Sequence, residues 1–97
     1  MVDVLVKVHE AGVLSLCDSN LIGKKFEEND IILNISERFY NGQAVADNGI
    51  IELIKEADNI CIVGKKAVDL AKKSGVVKEE GVKIVKGIPF AMVFSVE

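Results

Sequence analysis

The start of the chain constrains the fold most. Val2, Val4, Val6 and Val8 alternate with Asp3, Leu5, Lys7 and His9, the period of two that marks a half-buried strand. Glu10-Ala11-Gly12 interrupts the alternation as a turn, and Val13 to Cys17 resumes it. A three-residue loop then pairs His9 with Val13, Lys7 with Ser15 and Leu5 with Cys17. Because a slip of one residue would turn every side chain to the other face, the register sorts the residues. Val4, Val6, Val8, Leu14 and Leu16 are expected in the core, with Leu5, Lys7, His9, Val13, Ser15 and Cys17 on the opposite face.

The rest of the chain adds strands and two helices. Asp18 to Asp30 is polar and reads as a long connection, with one helical turn around Ser19 to Ile22. Ile31 to Ile35 is a β-branched run expected as a third strand, and Phe39 to Gln43 a turn or loop whose Asn41-Gly42 suits positive φ. Asp47 is an expected N-cap for a helix over 47–57, carried by Ile50, Ile51, Leu53, Ile54 and Ala57. Asn59 to Val63 reads as a strand rather than a helical lead-in. Ala67, Val68, Leu70 and Ala71 make the inner stripe of a helix from about 65 to 74, ended by Gly75. A strand over 82–86, a turn at Gly87-Ile88-Pro89 and a final strand from Phe90 to Val96 complete the pattern. The expected fold is α+β: one domain over 1–97, a two-layer sandwich with two helices on a mixed or antiparallel sheet of five to six short strands.

Composition excludes several classes. With 97 residues, 49% of them hydrophobic and 28% charged, and a positive mean hydropathy, the chain can offset its ordering entropy and is not disordered. One Pro rules out a collagen-like chain, and four Phe, one Tyr and no Trp leave little for a protein built on stacking platforms. The opening lacks the continuous apolar stretch of a signal peptide. The longest uncharged run, Gly87 to Val96, is about half of the ~20 residues a membrane helix needs. A soluble, cytoplasmic protein with no membrane partner is expected. Two Cys 44 positions apart and a single His do not assemble a closed zinc site, so neither metal nor other cofactor is expected.

The net charge of −3 hides an asymmetry. Between 65 and 86 lie seven Lys against Asp69, Glu79 and Glu80, a local net of +4, where a polyanion would be met. Lys65 and Lys72, and Lys66 and Lys73, stand seven apart and form two rows along one helix; the plain alternative is a solubilising face. Gly64 before that helix places free N–H groups beside Lys65 and Lys66, an arrangement that holds anions. It is no nucleotide-binding loop, because Asn59 stands where the upstream Gly belongs and Lys66 where a magnesium-holding hydroxyl belongs. Gly23-Lys24-Lys25 fails the same test. Tyr40, beside Phe39, is a possible stacker for a base or a buried ring.

Cys17, His9 and Asp18 invite a thiol, base and orienter. The hairpin register separates His9 from Cys17 by four steps, about 13 Å at ~3.3 Å per residue, against the ~3 Å a dyad needs. Asp18 beside the thiol would raise its pKa rather than lower it. No catalytic residue is assigned.

Read together, Cys17-Asp18, Leu21 to Phe26, Ser36-Glu37 with Phe39-Tyr40 and Gly42, Val63-Gly64 with Ala67 to Ala71, and Gly87-Ile88-Pro89 resemble domain-of-unknown-function family 424, small archaeal proteins. The resemblance runs in order from about Val4 to Ala91. It implies a single α/β domain and an RNA- or ribosome-associated role. Where the family pattern has a polar residue, often His, after Gly-x-Pro, this chain has Phe90, which counts against a catalytic loop there.

Three functions follow as expectations. The first is a non-enzymatic binding module for RNA or a ribonucleoprotein, with Gly64, Lys65, Lys66, Lys72, Lys73 and Tyr40 in contact. The second is a small enzyme using a loop of Cys17, Asp18, Gly23 and Lys24. The third is a homo-oligomeric assembly protein paired through the terminal strand Phe90 to Val96.

Overall fold

In a computed structural model, which describes residues 3–94, the opening hairpin forms in the expected register. β1 (Val4–Val8) and β2 (Val13–Asp18) pair antiparallel with Leu5 opposite Cys17 and Lys7 opposite Ser15. The chain continues through a 3-10 turn (Ser19–Leu21) into β3 (Lys25–Glu28), β4 (Ile31–Asn34), α1 (Glu37–Tyr40), β5 (Gln43–Ala44), α2 (Asp47–Glu56), β6 (Asn59–Val63), α3 (Lys65–Ser74), β7 (Lys83–Val85) and β8 (Ile88–Phe94). Six strands form one mixed sheet in the order β5-β1-β2-β6-β8-β7, and β3 with β4 forms a separate pair. Only β2 and β6 run parallel among the described residues. The architecture is α+β, as the sequence pattern implies.

On one face, α2 and α3 bury Ile50, Ile54, Ala67, Val68, Leu70 and Ala71 against Val4, Val6, Leu14, Leu16, Ile60, Ile62 and Ala91. Gly75 ends α3 in the left-handed conformation, φ 85°, as its position predicts. The opposite face carries a second core of Cys17, Val63 and Val85 beneath Leu21, Leu33, Ile35 and Tyr40. Its cover is the β3–β4 hairpin and α1.

Several local elements differ from the sequence pattern. Val8, expected in the core, is 69% exposed, on an open surface depression that it lines with Leu53, Glu56 and Ala57 at the end of α2. The polar segment 18–30 contains β3, whose Phe26 lies opposite Leu33 and packs on the second core while Lys25, Glu27 and Glu28 stay outside. The expected loop at 39–43 contains the last turn of α1 and the start of β5. Asn41 has φ −77°; Gly42 is needed for closeness, since a side chain there would overlap the Val6 carbonyl on the neighbouring strand. Ala46, not Asp47, is the N-cap of α2, and no side chain caps it. Lys86 and Gly87, both at positive φ, make the β7–β8 turn, and β8 begins at Ile88 rather than Phe90. β8 is also not simply an edge strand, because β7 covers it from Ile88 to Phe90. Ser95 and Val96 of the expected terminal strand lie outside the described residues. No helix among them is long and apolar enough to cross a membrane.

Candidate functional site

The parallel pair β2 and β6 sets the position of a site. After β2 the chain passes to the face carrying Leu21 and the hairpin; after β6 it turns through Gly64 into α3 on the other face. Where neighbouring parallel strands send their chains to opposite faces, a crevice opens at their carboxyl ends, the usual place for ligands in such sheets. Here it is a cleft of about 330 Å³ lined by Asp18, Asn20, Leu21, Lys65, Lys66 and Ile88. Three segments remote in sequence supply it: the end of β2, the start of α3 and the start of β8.

Asp18, one of the lining residues, is buried. The Lys66 N–H donates to Asp18 Oδ2 (3.1 Å) and the Ala67 N–H to Oδ1 (2.9 Å), so this buried carboxylate serves as the N-cap of α3 from another strand and complements the helix dipole. The Gly64 N–H in turn donates to the Pro89 carbonyl (2.8 Å). This corrects the expectation of free amides at Gly64: Lys66 and Ala67 are already held by a carboxylate, which also repels a second anion. Gly64 is fixed by the same arrangement. Its φ is 111°, and a methyl group there would overlap the Asp18 side chain.

The lysines divide into two sets. Lys65 and Lys66 stand at the cleft. Lys72 is ion-paired with Glu79, and Lys73 with Asp69 at 3.3 Å, so the far end of each row is partly neutralised within the protein. Tyr40 is 6% exposed and packed in the second core, so its ring is not offered to a base. Gly23 and Lys24 do not line the cleft. The Gly23 N–H donates to the Ile35 carbonyl (2.7 Å), the Lys24 N–H to Leu21 (3.1 Å), and the Ile35 N–H to Lys24 (2.9 Å), which ties this loop to the end of β4.

Cys17 is fully buried and its Sγ–H donates to the Asp18 carbonyl at 3.3 Å. Burial, reinforced by the Asp18 carboxylate, pushes its pKa up to about 12, and burial raises that of Cys61 as well. Neither thiol is an activated nucleophile. The loop of Cys17, Asp18, Gly23 and Lys24 is therefore not one reactive constellation. His9 is engaged elsewhere: its ring stacks on Phe39 with centroids 4.3 Å apart, and Nε2 lies 3.1 Å from the Phe39 carbonyl and 3.2 Å from Ser15 Oγ. A carbonyl only accepts, so Nε2 carries the proton in this contact and is not a base toward Ser15. Ser15 Oγ itself donates to the Phe39 carbonyl (3.0 Å). Among the described residues no three His, Cys, Asp or Glu side chains gather as a metal site.

Asn20, Leu21 and Ile88 carry no site signal of their own in the sequence. Leu21 and Ile88 do lie in the L-I-G-K-K-F and Gly-Ile-Pro segments, the available pointer, and these converge on the cleft with Asp18.

Fold and site together define a small α+β protein with a ligand-sized crevice at the carboxyl ends of the one parallel strand pair among the described residues. The family model "Protein of unknown function (DUF424)" matches residues 6–96, and the chain belongs to that family. Among solved structures it is similar to the crystal structure of an uncharacterized conserved protein from Methanopyrus kandleri, with 27% identity and a TM-score of 0.76 over 97% of this chain and 94% of the other. No curated protein matches the chain.

Proposed function

We propose that this is a non-enzymatic, cytoplasmic binding module that takes the phosphate backbone of RNA at the cleft between β2 and α3. The observation that carries the reading is the switch-point cleft flanked by Lys65 and Lys66. Two features support a polymer over a single small anion. Lys72 and Lys73 continue the lysine rows about 10 Å further along α3, at ~1.5 Å per residue. Their ion pairs with Glu79 and Asp69 are surface pairs, which hold little energy and exchange readily for phosphate. The inert thiols favour recognition over the enzyme reading. A filter-binding titration with total RNA at low salt tests the proposal. Retention at micromolar protein, lost on nuclease treatment, is expected; no retention contradicts it.

A further inference from the structure

We infer that the cleft seats one unstacked base of single-stranded RNA, with Lys65 and Lys66 on the flanking phosphates and Asn20 at the base edge. This rests on the RNA reading above and specifies which part of the polymer enters.

Both Asp18 oxygens accept backbone N–H groups, so this wall of the cleft offers a phosphate no donor and repels it. Phosphate is left to the lysines at the cleft. Leu21 and Ile88 supply an apolar lining, and Asn20 is the one uncharged polar side chain among the six that line the space. An apolar surface, an amide able to donate and accept, and cationic neighbours match a planar heterocycle joined to phosphates more closely than they match phosphate alone. The volume, about 330 Å³, lies at the small end of ligand clefts, ~300–1,000 Å³, suited to one nucleotide unit and not to a duplex. In a duplex the bases are stacked inward and extruding one is costly, so loops and single-stranded segments are selected.

The test compares a ten-nucleotide oligouridine with an abasic phosphodiester of equal length and charge by fluorescence anisotropy. The wild-type protein is expected to bind the oligouridine about fivefold or more tightly, the order that burying part of one ring against apolar side chains gives. Asn20→Ala, an exposed change with little risk to folding, and Ile88→Thr are expected to lower that affinity toward the abasic value. Equal wild-type affinities for the two polymers would overturn the inference while leaving the phosphate reading intact. A preference for bases that survives both substitutions would place the base elsewhere and overturn the assignment to this cleft. Binding to neither polymer would contradict the RNA reading itself, and the inference with it.

Discussion

The two faces of the six-stranded sheet are covered in different ways. The face beneath α2 and α3 is apolar throughout, with Leu16, Ile50, Ile54, Ile60 and Ile62 almost wholly enclosed. The other face buries polar atoms too, and specific bonds hold its cover. α1 has only four residues and cannot satisfy its own last carbonyls. Side chains from the sheet do so: Lys7 Nζ–H donates to the Arg38 carbonyl, while the Ser15 hydroxyl and the His9 ring donate to that of Phe39. No buried side-chain N or O among the described residues is left without a partner. An apolar face accepts any cover of matching periodicity, whereas the second face is tied to one. Asp18 joins the two, leaving β2 on one side and capping α3 on the other.

Substitutions can sharpen this contrast. The largest loss is expected in the apolar face: Leu16→Ala should reduce unfolding free energy by about 3 kcal/mol, measured in denaturant. Asp18→Ala should cost about 2 kcal/mol, because it strips a buried charged cap from two amides. Gly64→Ala should destabilise on its own. Combined with Asp18→Ala the loss should be less than the sum, since the carboxylate that the new methyl group would overlap is gone. A fully additive double mutant would break the link between the faces. Ser15→Ala should cost about 1 kcal/mol, because the Phe39 carbonyl keeps its bond to His9.

The smallest effect at neutral pH comes from Cys17. Its folded pKa of about 12 lies above the ~8.5 of an ordinary thiol, so its contribution to stability is complete below the ordinary value and is lost as pH rises toward the folded one. Thermal melts from pH 7 to 11 should be flat and then fall, with a shallower fall in Cys17→Ser. At neutral pH, iodoacetamide should label Cys17 more slowly than free cysteine.

The same contrast explains what was legible in the sequence. Elements set by periodicity could be read: the β1–β2 register, β6, and α3 with its terminal Gly75. Elements set by long-range contact could not. β3 looks like a polar loop because only Phe26 of its four residues turns inward. α1 is too short to show a helical period, and Val8 follows the alternation perfectly yet is left exposed in an open depression beside the last turn of α2. At the site, Lys65 and Lys66 were visible as charges, but the cap was hidden, because Asp18 and Ala67 are separated by 49 positions. Spacing at that range carries no local signal, so the amides of α3 looked free from the sequence.

The central claim is that Lys65 and Lys66 meet phosphate at the cleft. The most direct measurement is the salt dependence of RNA affinity for the wild type and for a Lys65→Glu/Lys66→Glu double variant. Loss of two phosphate contacts should lower affinity tenfold or more at low salt and reduce the slope of log K against log salt by about 1.4, at ~0.7 per contact on single strands. Identical slopes and affinities in a folded double variant would contradict the account.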